Sequence, residues 1–253
     1  MIVLPMAGLS SRFFEAGYDV PKYMLDLHGA TVFDHALGSF QGLFEHERFL
    51  IICRDVYATP EFVRARAEAM GLPGAQLALV VLDRETAGQA ETVALGLRQS
   101  DTVDQTPVTI FNIDTFRPGF AHPNTFALEC VDGYLEVFEA PGDHWSFARP
   151  EPGTDRVVEV AEKVRISDYC SDGLYYFRSA AFYLELYAEI ETQDPTGLQG
   201  GEYYVAPLYN SAIAKGGDIR LAHVPSGAIR FCGTPAEYHD LQGRAPFTPQ
   251  TIS

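Results

Sequence analysis

The sequence predicts an α/β protein: a mostly parallel, mixed sheet with helices on both faces and an antiparallel extension in its second half. Three observations carry this. Apolar runs alternate with helix-patterned segments as far as Ile113. Those runs are apolar throughout, as in strands covered on both faces. Beyond about residue 130 the runs shorten and are divided by Gly, Pro and Asp, the habit of antiparallel strands and tight turns.

In order, Ile2–Met6 is predicted as a strand. Thr31–Phe44 is predicted as a helix, with Thr31 as N-cap and Val32, His35, Ala36, Phe40 and Phe44 near helical spacing. Phe49–Cys53 follows as a strand, Pro60–Met70 as a helix and Leu77–Leu82 as a strand. Gln89–Arg98 is expected as a helix and Val108–Ile113 as a strand. The second half then supplies short strands at Tyr134–Ala140, Trp145–Arg149, Val157–Val160 and Leu174–Phe177. Helices are expected at Ala180–Glu191 and around Glu202–Ala214, with a late strand at Ile219–Val224. The Pro- and Thr-containing tail after Arg244 is expected to be loosely held. No linker, repeat or low-complexity tract interrupts the chain, so one domain over 1–253 is the expectation.

At 253 residues the chain has room for one large core. A net charge of −16 argues against general binding of DNA or RNA, which needs basic surface. It leaves open a nucleotide, held by a few local cations and backbone N–H groups. No apolar stretch approaches the length of a membrane span, so no membrane insertion is expected. The first apolar run, from Ile2, is short and lacks a basic leader, so the chain reads as cytoplasmic. Cys53, Cys130, Cys170 and Cys232 are scattered, without C-x-x-C spacing. They read as buried free thiols rather than zinc ligands or disulfides.

The segment richest in chemistry is the first. Ile2–Met6 runs straight into Ala7-Gly8-Leu9-Ser10-Ser11, closed by Arg12, with Pro21-Lys22 following. A strand ending in a Gly/Ser loop exposes N–H groups to an anion, and Arg and Lys close behind add charge for a polyphosphate. No G-K-[ST] follows, so this is not a Walker loop. Asp114, after the apolar strand ending at Ile113, is a lone carboxylate at a strand end, where ligands of such sheets bind.

These residues resemble the signature loop A-G-x-G-[ST]-R, followed by P-K, of nucleotidyltransferases with the glycosyltransferase-A-like, Rossmann-like fold. Ala7-Gly8, Ser11-Arg12 and Pro21-Lys22 match, and Ser10 stands where the second Gly falls. Further segments follow in the family's order. Glu85-Thr86-Ala87-Gly88-Gln89-Ala90 resembles its T-x-G-x-A segment, and Asn112-Ile113-Asp114 its strand-end aspartate. Glu162-Lys163 and Gly173-Leu174-Tyr175-Tyr176-Phe177 resemble its E-K and G-[IL]-Y-x-F pair. Gly233-Thr234-Pro235 resembles its late G-T-P, and Gly201-Glu202-Tyr203-Tyr204 a polar acceptor-side segment.

The resemblance implies a Mg²⁺-dependent enzyme of the sugar-phosphate and phosphocholine type. It would move NMP from an NTP (CTP, UTP or dTTP) to a phosphorylated small molecule, with release of pyrophosphate. Arg12 and Lys22 would be catalytic. Ala7, Gly8, Ser10, Ser11, Gly88 and Gln89 would hold the nucleotide, and Asp114 the metal. Glu162, Lys163, Gly173 and Glu202 would face the acceptor. The nucleotide part would span about 1–115 and the acceptor part about 116–241. The product would feed surface polysaccharide or cell-envelope synthesis. Both a monomer and a homo-oligomer stay open.

One departure is visible: Phe231 stands where many sugar-phosphate members carry a second Mg²⁺-binding Asp. Either Asp114 works with water and phosphate oxygens, or another carboxylate substitutes. Plainer readings stand beside these. Gly8 is also an ordinary turn glycine, Lys163 also a salt-bridge partner for Glu162 or Asp168, and Glu202 also an ordinary polar helix start. Two other functions compete. One is a nucleotide-sugar-dependent glycosyltransferase of the same fold, for which Asn112-Ile113-Asp114 is a poor D-x-D. The other is a non-catalytic nucleotide-binding regulator, suggested by Phe231.

Overall fold

The computed structural model describes residues 1–198 and 201–245, so the expected loose tail lies almost wholly outside the described residues. The first half begins with β1 (Ile2–Pro5), α1 (Ser11–Glu15), β2 (Asp26–Leu27), β3 (Ala30–Thr31) and α2 (Val32–Gly38). It continues with β4 (Phe49–Arg54), α3 (Thr59–Ala69), β5 (Leu77–Leu82), α4 (Gln89–Gln99), β6 (Val108–Phe111) and β7 (Thr115–Phe116). The second half brings β8 (Gly133–Glu139), β9 (Ser146–Pro150), β10 (Val157–Glu162), β11 (Tyr169–Phe177) and α5 (Ala180–Ala188). It closes with α6 (Leu208–Ala214), β12 (Ile219–His223), β13 (Arg230–Phe231) and α7 (Pro235–Gln242).

Nine strands form one sheet in the order β10-β9-β11-β6-β1-β4-β5, with β8 paired to β11 and β12 to β8. β5, β4, β1 and β6 are parallel. β11 then runs antiparallel to β6, β8 and β9, and β10 antiparallel to β9. The turnover from parallel to antiparallel follows the change in sequence character. Alternate side chains explain the two cores. Val3, Leu50 and Ile52 pack under α4, α5 and α6, while Ile2, Leu4, Phe49 and Ile51 pack under α2, α3 and Phe13 of α1. No described helix is long and apolar enough to cross a membrane.

Three expectations are corrected. The helix expected over Thr31–Phe44 ends at Gly38. Its start is as read: the Thr31 Oγ1 accepts from Asp34 N at 3.2 Å, and Asp34 accepts from Thr31 N at 2.7 Å. At its end, Ser39 Oγ donates back to His35 O at 3.2 Å and accepts from Arg117 N at 2.9 Å. That tie to the β7 segment turns the chain, and Gln41–Leu43 adds only a 3₁₀ turn. The helix expected from Glu202 starts at Leu208, because Tyr203 is held as extended backbone. Its N donates to Ala87 O at 2.9 Å and its O accepts from Ala90 N at 2.7 Å. Finally, all four cysteines are free thiols but Cys130 is exposed; only Cys53, Cys170 and Cys232 are buried.

Candidate active site

A trough of about 960 Å³ crosses the sheet at the carboxyl ends of the parallel strands. Strand order sets the order of its residues. Glu85 follows β5 and Arg54 ends β4. The loop Ala7–Ser10 follows β1, and Asn112–Asp114 follow β6. Asp172–Gly173 lie in β11, Ser146 opens β9 and Glu162 ends β10. All of these but Arg54 line the trough.

Ser10 explains its own place in the loop. It has φ 55°, a left-handed conformation that favours glycine, and it caps the start of α1. Its Oγ accepts from Lys22 N at 3.2 Å. A glycine there would relieve the backbone but lose that tie between the loop and Pro21-Lys22. The Lys22 Nζ reaches across the trough to Asp114 Oδ2 in a direct ion pair. Both side chains remain about one-fifth exposed (20% and 22%), so a ligand can reach them. Arg12 is exposed and also lines the trough.

The late G-T-P segment buttresses Asp114. Cys232 N donates to Asp114 O at 2.7 Å, β13 pairs with β7, and a Cβ on Gly233 would stand 3.1 Å from Asp114 Oδ2. Phe231 turns instead into an aromatic wall, 4.8 Å from the Trp145 ring and 5.2 Å from Phe138. Among the described residues no three His, Cys, Asp or Glu side chains cluster to hold a metal. Asp114 alone suits a hard cation that retains waters and takes its other oxygens from phosphates, as Mg²⁺ does.

Two glycines are set by close approach. Gly88, φ 146°, would put a Cβ 2.6 Å from the Tyr203 backbone N and O. Gly173, φ 93°, would put one 2.1 Å from Asn112 Nδ2. Gly173 lies where β11 slips register against β8, between Ser171 and Tyr175, and its O accepts from Asn112 N at 3.2 Å. Asn112 Oδ1 in turn accepts from Gln89 Nε2 at 2.6 Å. Thus Gln89 and Gly173, far apart in sequence, meet through Asn112.

On the far side, Glu162 is buried and accepts from Ser146 Oγ. Burial pushes its carboxyl above the ordinary range, against the lowering by that bond and by Lys163. Lys163 does not line the trough itself. Its Nζ donates to Tyr204 Oη at 2.5 Å and lies 4.7 Å from that ring's centroid, and Tyr204 forms the lining. Asp168 pairs with Arg165, while the bond to Tyr204, and then the charges of Tyr204 and Glu162, push the Lys163 ammonium up. Glu202 is exposed and lines the trough from a loop. Of the three aromatics Tyr175, Tyr176 and Phe177, all buried, only Tyr175 reaches it.

Sequence reading missed the floor. Asp172, fully buried, lies beside Glu136, whose Oε1 accepts from Arg117 Nε at 2.6 Å. Burial and the Glu136 charge push the Asp172 carboxyl well above the ordinary carboxylate range. Its Oδ1 accepts from Leu174 N at 3.0 Å, and its Oδ2 is buried with no hydrogen-bond partner. Thr115 Oγ1 donates to Asp172 O at 3.1 Å, tying this floor to the residue beside Asp114. The only signal was an acidic residue next to Gly173. Trp145 and Ser146 carried no signal by type, and Asn112 and Tyr204 stood in quoted segments without a role of their own, since their placement depends on strand pairing.

Arg12, Lys22 and Asp114 thus meet at the carboxyl ends of parallel strands, the edge at which open α/β sheets bind ligands. No protein-family model and no curated protein matches the chain. Among solved structures it is similar to the nucleoside-diphosphate-sugar pyrophosphorylase from Vibrio cholerae RC9. The two are 47% identical with a TM-score of 0.90, over 96% of this chain and 100% of that one. The inositol-1-phosphate CTP transferase from T. maritima shares the fold at 14% identity, with a TM-score of 0.70 over 96% and 94% of the two chains. So does the UDP-glucose pyrophosphorylase from Acinetobacter baumanii, at 13% identity and a TM-score of 0.66 over 95% and 91%. The chain belongs to the sugar-phosphate nucleotidyltransferase family.

Proposed function

We propose that the protein transfers a nucleotidyl group from an NTP to the phosphate of a sugar phosphate or small phosphomonoester and releases pyrophosphate. The observation that carries this reading is the Lys22–Asp114 pair, set beside the Ala7–Ser11 loop at the middle of the trough. An acceptor phosphate oxygen attacks the α-phosphorus. The bond from that phosphorus to the bridging oxygen breaks, and pyrophosphate leaves with the electron pair. Little acid–base chemistry is required, so positioning and charge neutralisation decide the rate.

The loop N–H groups and Arg12 hold the β- and γ-phosphates. Lys22 leaves Asp114 for the α-phosphate and neutralises the charge that builds there. Gly88 and Gln89 meet the ribose, with Gln89 fixed by Asn112. Asp114, once released, is the carboxylate that would hold Mg²⁺, which would supply screening of the triphosphate charge. Glu162, Glu202 and the Gly173 bulge receive the acceptor, and Lys163 supports that side through Tyr204. The first 115 residues or so supply the nucleotide half and about 116–241 the acceptor half. The reading extends to a cytoplasmic enzyme whose product serves surface polysaccharide or envelope synthesis.

The test is a panel of NTPs and phosphorylated acceptors with pyrophosphate detection. Pyrophosphate appears only when NTP, acceptor and Mg²⁺ are all present. Release of a nucleoside diphosphate from a nucleotide-sugar would indicate a glycosyltransferase. Nucleotide binding without turnover on any acceptor would indicate a regulator.

A further inference from the structure

The order of residues along the trough bears on the base. On the reading above, Arg12, Lys22 and Asp114 fix the phosphates at its middle, and the acceptor lies toward β9 and β10. The base therefore lies toward β4 and β5, where Glu85 lines the trough. The Glu85 side chain is 60% exposed. Its Oε1 lies 3.4 Å from Arg54 Nη1, and Arg54 is the better buried of the two at 20%. The guanidinium holds the carboxylate by one oxygen and leaves the other to a ligand.

Three polar groups of the same segment have partners within the protein. Ala87 N donates to Glu91 Oε2 at 2.5 Å, and the Thr86 hydroxyl pairs with that of Thr92 at 2.7 Å. Ala87 O accepts from Tyr203 N. Glu85 is the charged side chain that this segment contributes to the trough lining, and a carboxylate accepts hydrogen bonds without donating one.

Pyrimidines differ at that edge. Cytosine carries the N4 amino donor, whereas thymine carries the O4 acceptor, as uracil does. We propose that Glu85, held by Arg54, makes the protein select CTP over UTP and dTTP. The cytosine N4–H donates to the free carboxylate oxygen in a charge-assisted bond, whereas O4 would oppose it with two acceptors and no proton between them. Glutamine at this position would serve either base, because its amide presents a donor or an acceptor on turning.

The experiment is calorimetric titration of CTP, UTP and dTTP with Mg²⁺ into the wild-type protein and into E85Q. CTP is expected to bind at least about tenfold more tightly than the other two in the wild type. In E85Q the preference is expected to shrink to about twofold or less, with the melting temperature unchanged because the side chain is at the surface. A wild-type preference near one or reversed overturns the assignment, as does an undiminished CTP preference in E85Q. Base-blind binding accompanied by pyrophosphate release removes this assignment alone. Failure of all three nucleotides to bind removes the transferase reading with it.

Discussion

At the scale of single residues, the account turns on Lys22. In the ligand-free protein its charge is satisfied by Asp114; in the reaction it is needed only as charge builds at the α-phosphate. Lys22→Ala should therefore lower kcat by roughly 10²–10³ while the melting temperature moves less than a core substitution would move it, since Asp114 keeps a path to water at the trough. Steady-state kinetics beside a thermal melt check this, and near-normal turnover would assign Lys22 to structure alone. Asp172 gives a second residue-scale expectation. Its folded pKa is raised by burial and by Glu136, so the folded chain keeps a proton that the unfolded chain has released above about pH 4. The folded state binds more protons in that window, and stability falls as pH rises through it toward the folded value. Asp172→Asn keeps an acceptor for Leu174 N and offers an amide donor to Glu136 without needing a proton. Its melting temperature should depend less on pH between 5 and 8 than that of the wild type. Parallel profiles would mean that Asp172 is not the group carrying the proton.

At the scale of elements, the parallel half was legible because each strand is a continuous apolar run bounded by turn residues. Leu77–Leu82 is a strand with the ends read from sequence, and Thr31 caps α2 as expected. Ends fixed by tertiary partners were not legible. α2 stops because Ser39 is taken up by the β7 segment, and α6 starts late because Tyr203 lies along Ala87–Ala90. The same clasp explains why Gly88 resists change. Gly88→Ala would strain the φ of 146° and drive a Cβ into the Tyr203 backbone. It should cost about 1–3 kcal/mol, lowering the melting temperature by roughly 2–10 °C, and should raise KM for the NTP. Gly8→Ala, with open space around its Cβ, should leave the melting temperature in place. Equal melting curves for the two variants would show that the clasp is dispensable.

At the scale of the whole molecule, the sequence placed the Ala7–Arg12 loop and Asp114 on one edge because parallel strands share their carboxyl ends. It could not place Trp145 against Phe231, or Tyr204 between Lys163 and the trough, since those contacts depend on how β9, β13 and the segment after residue 201 fold onto the edge. Net charge behaved likewise. The value of −16 describes the molecule, whereas the position of Arg12 and Lys22 in a trough also lined by carboxylates depends on the fold. The central claim is that the α-phosphoryl group of an NTP passes directly to an acceptor phosphate at this site. The most direct measurement follows NTP labelled either at the α- or at the γ-phosphorus, incubated with the protein, Mg²⁺ and a phosphorylated acceptor. The account predicts that α-label enters a product joined to the acceptor phosphate and that γ-label leaves as pyrophosphate. Transfer of γ-label to the acceptor, or α-label recovered only in nucleoside mono- or diphosphate, would contradict it.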